Sequence, residues 1–348
     1  GGTDGGNRKV IEHNAAMLAE SGVSCPIVIA GNRTASDAVA AMLGLAGKST
    51  IITENVMPRH LELNIEPARE AIRQVFINHI VHAKGIDKAG EQLDGVLMPT
   101  PAAVLKGAKL LADGVGDKPG LGPLLVVDIG GATTDVHSAC DGAPSESGVV
   151  YHGLPEPYAK RTVEGDLGMR HTARHVVEAV GADVFAADAG LDDPALEALL
   201  ARTEADVEWL PATDREQAFD LALARAATRL SVTRHAGTLE TVYTATGPVT
   251  MQRGKDLSTV GLVIGTGGVL VHTADPLAVL SGALAHGGAP VALCPRDPRL
   301  MIDADYGLYA CGLLVDIAPE AALALGRRSL CEPKKLEGTA DHGATTAQ

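Results

Sequence analysis

The feature that most constrains this chain is the stretch LLVVDIGGATTDVHSA, Leu124 to Ala139. An apolar run ends in Asp128, two glycines follow at once, and an alternating apolar pattern resumes at Val136. Branched aliphatic residues favour extended backbone and Gly130 and Gly131 permit a tight return, so a strand, a turn and a second strand are predicted. Such a turn is short of side chains. It offers main-chain N–H groups, the carboxylates of Asp128 and Asp135, and the hydroxyls of Thr133 and Thr134. Glycines at φ > 0 would let the backbone approach a ligand closely, N–H groups in a turn can cradle an anion, and a strand-end carboxylate can hold Mg²⁺ through water. An ordinary hairpin with a glycine bulge fits the same residues.

Upstream, the patterns alternate. Helical periodicity from Asn7 to Glu20 is followed by a short buried strand in CPIVIAG, an Ala-rich helix from Ser36 to Leu45, an extended STIITENV and a long amphipathic helix closed by Gly85. This is an α/β alternation. A further helix follows Pro99 to Pro101, and the linker GVGDKPGLGP leads into the hairpin. Beyond it, VHSAC, the turn DGAPSESG and VVYHG predict a third antiparallel strand. Residues 166–234 read as helical, with breaks at Asp192 to Pro194 and at Pro211; a strand in TVGLVIGTGG and terminal helices come next. The polar tail at residues 333–348 is expected to be flexible.

Apolar residues make up 46% and aromatics 3%, so a core of Ala, Val, Leu and Ile is expected, suited to helices on sheets. A net charge of −14 without a basic run argues against nucleic-acid binding. Cys25, Cys140, Cys294, Cys311 and Cys331 are scattered and form no CxxC pair, so a reduced cytoplasmic protein is the plain reading. No apolar stretch reaches the roughly 18 residues of a membrane span. The opening GGTDGGN, with no initiator Met, predicts a segment cut or processed away upstream.

The hairpin resembles the second phosphate-binding motif of the actin, sugar-kinase and heat-shock-chaperone ATPase superfamily. VEGDLGMRHTARHV (Val163 to Val176) is similar to its Gly-Asp loop, and GLVIGTGGVLVH (Gly261 to His272) to its adenosine motif, in the order that superfamily requires. Together with GGTDGGN and RTVEGDLGMR, these segments resemble the glutamate mutase L family of accessory proteins to adenosylcobalamin-dependent mutases. The resemblance implies an actin-like (ribonuclease H-like) α/β fold with two lobes around a nucleotide cleft. Residues 1–120 would be the remainder of an N-terminally truncated first lobe, and 121–332 the second, with a helical insertion at 166–234. The implied function is an ATP-binding reactivating or cofactor-loading factor, chaperone-like, with weak ATPase activity, whose partners are the mutase subunits and which could form a homodimer. An ATP-dependent hydantoinase or oxoprolinase, or a small-molecule kinase, is the alternative.

By the same resemblance, ATP or ADP and Mg²⁺ are the cofactors. Asp128 would orient the metal or the attacking water, Gly130 and Gly131 would present N–H groups to phosphates, and Thr133, Thr134 and Asp135 would complete the loop. Glu164 and Asp166 would reach ribose or metal, unless they only complement a helix dipole. Gly265, Gly267 and Gly268 would face the adenosine. Asp128-Ile129-Gly130 is the only match to a phosphate motif, so the family's first such hairpin is missing here. Thr3, Asp4 and Asn7 suit either an anion at a helix N-terminus or a plain cap. His79 with His82, and His171 with His175, have metal-like spacing without a third ligand, and Arg225 with Arg229 read as an adenine-side pair or a solvated helical face.

Overall fold

The computed structural model describes residues 2–83, 98–245, 247–287 and 291–333, the side chains of 79–83 excepted. The helix stop at Gly85 and almost all of the tail lie outside these residues. Two compact units divide the chain, Gly1–Pro99 and Thr100–Gln348. The helix Thr100–Asp113 belongs to the second unit, where Val104, Ala108 and Leu111 share a core with Leu124 and Val126.

In the first unit come α1 (Lys9–Glu20), β1 (Ile27–Ile29), α2 (Arg33–Leu45), β2 (Thr50–Ile52) and α3 (Glu66–Ala83). β1 and β2 are parallel, with Ile27 opposite Thr50, and α2 provides the crossover that a parallel pair needs. Ala35, Val39 and Leu43, four residues apart on α2, pack with Ile11 and Ala15 of α1 and with Ile29.

The second unit runs α4 (Thr100–Asp113), β3 (Gly114–Val115), β4 (Lys118–Pro119), β5 (Leu124–Ile129), β6 (Thr134–Ala139), β7 (Val150–Tyr151) and β8 (Ala159–Glu164). Four helices follow: α5 (Ala173–Val180), α6 (Ala182–Ala189), α7 (Asp193–Ala205) and α8 (Asp214–His235). Then come β9 (Thr238–Thr244), β10 (Gly247–Arg253), β11 (Leu262–Thr266), α9 (Gly268–His272), α10 (Pro276–Leu280), β12 (Val291–Ala292), β13 (Arg299–Asp303), α11 (Gly307–Leu314), α12 (Pro319–Ser329) and β14 (Leu330–Cys331). A six-stranded sheet of order β14-β13-β11-β5-β6-β8 forms the centre of this unit. Its strands β13, β11 and β5 are parallel, while β6, β8 and β14 are antiparallel to their neighbours. Side-chain alternation sends Leu125, Val127 and Ile129 to a core with α5 to α8, and Leu124 and Val126 to a core with α4 and α11. The architecture is mixed α/β.

Three strand assignments differ from expectation. The third strand of the hairpin system is β8, the polar AKRTVE, whereas Val150 and Tyr151 pair with β10 in a separate sheet of order β12-β9-β10-β7. β8 lies at the edge of the central sheet, where Arg161 and Val163 are exposed, so its sequence lacks the apolar run of a covered strand. The β9–β10 hairpin and β13 are further strands; TLETVYT before GP is the sequence signal of the hairpin, and RLMID that of β13. No helix among the described residues is long and apolar enough to cross a membrane.

Candidate functional site

β5 ends with Asp128, and the ladder sets one row of residues across the sheet. Asp128 faces Thr266 of β11 on one side and Asp135 of β6 on the other. Thr266 Oγ1 donates to Asp303 Oδ2 at 3.0 Å, which brings a third carboxylate from the end of β13 to the same edge. Buried Asp303 is itself held by the N–H groups of Gly307 (2.7 Å) and Leu308 (3.1 Å) at the start of α11, and by the Ser329 hydroxyl. Asp135 takes a 2.7 Å ion pair from Arg161. Asp128 receives no such partner among the described residues. Burial, then the charges of Asp135 and Asp303, push its carboxyl up to about 6, and Arg161 only partly offsets them.

The glycine turn after β11 meets the loop after β5. Gly267 adopts φ 93°, and a Cβ there would stand 2.8 Å from Asp128 Oδ1 and 2.8 Å from the Ile129 carbonyl, so only glycine permits this approach. The two motifs, more than a hundred residues apart in sequence, therefore adjoin at Asp128. Gly268 opens α9 with little around it, its nearest neighbour being the Tyr306 hydroxyl. Gly265 serves packing instead: a Cβ would crowd Leu270, Ile302 and Leu280 at 2.9 to 3.1 Å, inside the core.

The hairpin loop is built differently from expectation. Gly130 and Gly131 both keep negative or extended φ, and the Gly130 N–H is already used, donating to the Thr133 carbonyl at 2.9 Å. At the exposed tip, the N–H groups of Gly131 and Ala132 take no partner among the described residues. Thr134 is fully buried and gives its hydroxyl to the Leu167 carbonyl at 2.5 Å, leaving half-buried Thr133 as the hydroxyl nearer the tip. The loop rests on residues 167–172: the N–H groups of Met169, Arg170 and His171 donate to the carbonyls of Gly130 and Gly131 at 2.8 to 3.1 Å. Gly168 makes that seating possible, since any Cβ there would overlap the Ala132 backbone.

Glu164 lies beside Thr134 in the ladder, so alternation places it on the face opposite Asp128. Arg234 of α8 takes both it (2.7 Å) and Asp166 (2.7 and 2.9 Å), and this hydrogen bonding holds Asp166 below the usual carboxylate range. These two acids thus anchor α8 to the sheet edge. In the first unit, Asp4 Oδ1 accepts the Arg33 N–H at 2.8 Å and the Asn55 amide at 2.9 Å, so the start of α2 already has an anion from its own chain. Asn7 Oδ1 accepts the Lys9 N–H at 2.9 Å from just outside α1, whose N-cap position is Arg8, and the Thr3 carbonyl closes a turn onto the Gly6 N–H. α5 begins at Ala173, so His171 and His175 do not share a helical face; the side chains of His79 and His82 lie outside the described residues. Among the described residues no group of three metal-type side chains is assembled.

Asp303, Thr266 and Arg161 were not singled out from the sequence, although LMIDADYG repeats the pattern of an apolar strand closed by Asp. The sequence matches the model of the MutL protein family over residues 1–330. It is also 48% identical over 333 residues to a protein named MutL from Clostridium tetanomorphum, covering 95% of this chain and 71% of the relative. The chain belongs to the MutL protein family. The Asp128 hairpin, the 167–172 cradle and the Gly267 turn of this MutL chain all fall inside the matched residues.

Proposed function

We propose that this MutL chain is the ATP-binding core, of the actin-like ATPase type, of an accessory protein that reactivates or loads cofactor into an adenosylcobalamin-dependent mutase such as glutamate mutase. The observation that carries the reading is Asp128, a strand-end carboxylate without an ion-pair partner among the described residues, against which the Gly267 turn closes three residues before the exposed loop tip. Asp128 fits a divalent cation as a single carboxylate ligand, since Asp135 is taken by Arg161 and Asp303 by main-chain N–H groups. Three carboxylates stand against one arginine, and adding positive charge there relieves a repulsion the fold otherwise sustains. Asp128 would hold Mg²⁺, which supplies charge neutralisation to a triphosphate when bound.

The chain's own residues do the rest. Gly131 and Ala132 orient phosphate oxygens through main-chain N–H, and Gly267 and Gly268 let the backbone come close to the nucleoside. Asp128 orients the metal or the attacking water, and positioning with charge neutralisation is the main lever in phosphoryl transfer. Glu164 and Asp166, tied to Arg234, set the angle of α8 instead of touching nucleotide. The helices from α5 to α8 are the proposed partner-facing element, and a cytoplasmic location belongs to the same reading. ADP release should be slow for the chain alone and rise on adding the mutase, and Asp128→Ala should remove it by at least a hundredfold, on the order seen when one electrostatic group is lost. Unchanged turnover in that variant, or stimulation by hydantoin substrates in place of a mutase, would overturn the reading.

A further inference from the structure

A cavity of about 470 Å³ lies between α6, α8 and the turn at Ser281 to His286, sharing no residue with the Asp128 row. Its size is that of a small-molecule site, about 300 to 1,000 Å³. Its lining combines apolar Val180, Val184, buried Phe185 and Leu284 with Arg225 and Arg229, one helical turn apart on α8. The charges there do not balance. Asp188 pairs with Arg225 at 2.5 Å, whereas the half-buried Arg229 guanidinium makes no hydrogen bond or ion pair among the described residues. In a chain with 14 more acidic than basic residues, where most arginines find a carboxylate, a cation left unpaired in a concave site is unusual.

The cavity is also preformed. Gly282 seats the turn on α8 so closely that a Cβ would stand 2.6 Å from the Arg225 carbonyl and 3.2 Å from the Arg229 N–H nitrogen. Both sides are therefore fixed before any ligand arrives. His286 at the rim is held by the Leu284 carbonyl at 3.0 Å, and Ser281 spends its hydroxyl on the Ala278 carbonyl, so neither competes for Arg229. We infer that this cavity binds a small organic anion, a carboxylate or phosphate monoester with an apolar body, its oxygens taken by the Arg229 fork and its body laid on Val184 and Phe185.

Calorimetric titration of the full chain with phenyl phosphate, benzoate and inorganic phosphate tests this. Saturable one-site binding of phenyl phosphate and benzoate is expected, weakened at least about tenfold by Arg229→Gln, the loss of one charge-assisted contact. Arg229 has no partner to lose, so this variant keeps the fold. Val184→Ser should weaken phenyl phosphate and leave inorganic phosphate unchanged, and Asp128→Asn should change neither. The inference is overturned if neither organic anion binds, if Arg229→Gln is without effect, if inorganic phosphate binds as tightly as phenyl phosphate, or if Mg–ATP displaces the probe. It stands independently of the nucleotide reading, because Asp128→Asn addresses that site alone.

Discussion

Asp128 is a carboxylate that the fold holds in its less comfortable state. Its carboxyl is raised to about 6, so the folded chain binds its proton more tightly than the unfolded chain does, by about two pKa steps or on the order of 3 kcal/mol. A group raised in this way contributes stability that is fully present below about pH 4 and is lost as pH rises through about 6. Asp128→Asn keeps the shape and removes the charge. Urea melts of both proteins from pH 4 to 8 should show the variant gaining on the wild type across that window by a few kcal/mol; parallel curves would mean that neither burial nor the Asp135 and Asp303 charges raise Asp128. The residue was legible in sequence because strand-ending Asp followed by two glycines has few uses. The roles of its neighbours were less legible. Whether Thr134 faces a ligand or the Leu167 carbonyl depends on a segment thirty residues away, and whether Gly265 faces nucleoside or core depends on Leu280 and Ile302.

At the scale of elements, the loop is only as well placed as the cradle under it. Arg170, whose N–H holds the Gly131 carbonyl, turns its guanidinium the other way, into a two-toothed pair with Asp220 of α8 at 3.0 and 2.7 Å. It also donates to the Trp209 carbonyl and lies over the indole at 5.2 Å, while Arg202 covers the ring at 4.9 Å. Burial pushes the Asp220 carboxyl up even though Arg170 pulls it down, so the acid depends on its partner. Arg170→Ala leaves that carboxylate buried and uncompensated, and should cost about 3 to 5 kcal/mol in denaturant melts. Adding Asp220→Asn should recover much of the loss. A double variant no more stable than the single would show that stacking on Trp209, not the ion pair, holds the cradle. RTVEGDLGMR stood out in sequence, but its work was hidden: pairing of β8 with β6, and the reach from Arg170 to α8, are long-range facts that no local pattern encodes. Helices with clear period, such as α1 and α2, were legible; edge strands such as β8, and the β9–β10 hairpin with its exposed Tyr243, were not, because their faces are only half covered.

The whole chain divides into units of unequal self-sufficiency. Around the central sheet the second unit has two cores, one drawing on helices α5 to α8 and the other on α4, α11 and α12, with fully buried Phe185, Phe219, Leu125 and Leu223 in the first. In the first unit the buried core among the described residues is Ile11, Ala15, Ile29, Ala35, Val39 and Leu43, three of the six being alanine or on a three-residue strand. Its two-stranded sheet is shorter than an independent sheet usually needs, and Leu45, Ile72 and Val10 stay exposed. Burial of apolar area scales with what a unit can cover, so the two should separate in stability. A fragment of residues 100–348 should give cooperative thermal unfolding within about 5 °C of the intact chain's main transition, whereas residues 1–99 alone should show weak, non-cooperative melting by circular dichroism. If the larger fragment melts broadly or precipitates on expression, α4 and the sheet it covers draw their stability from the first unit, and the division at Pro99 is one of geometry without independent folding.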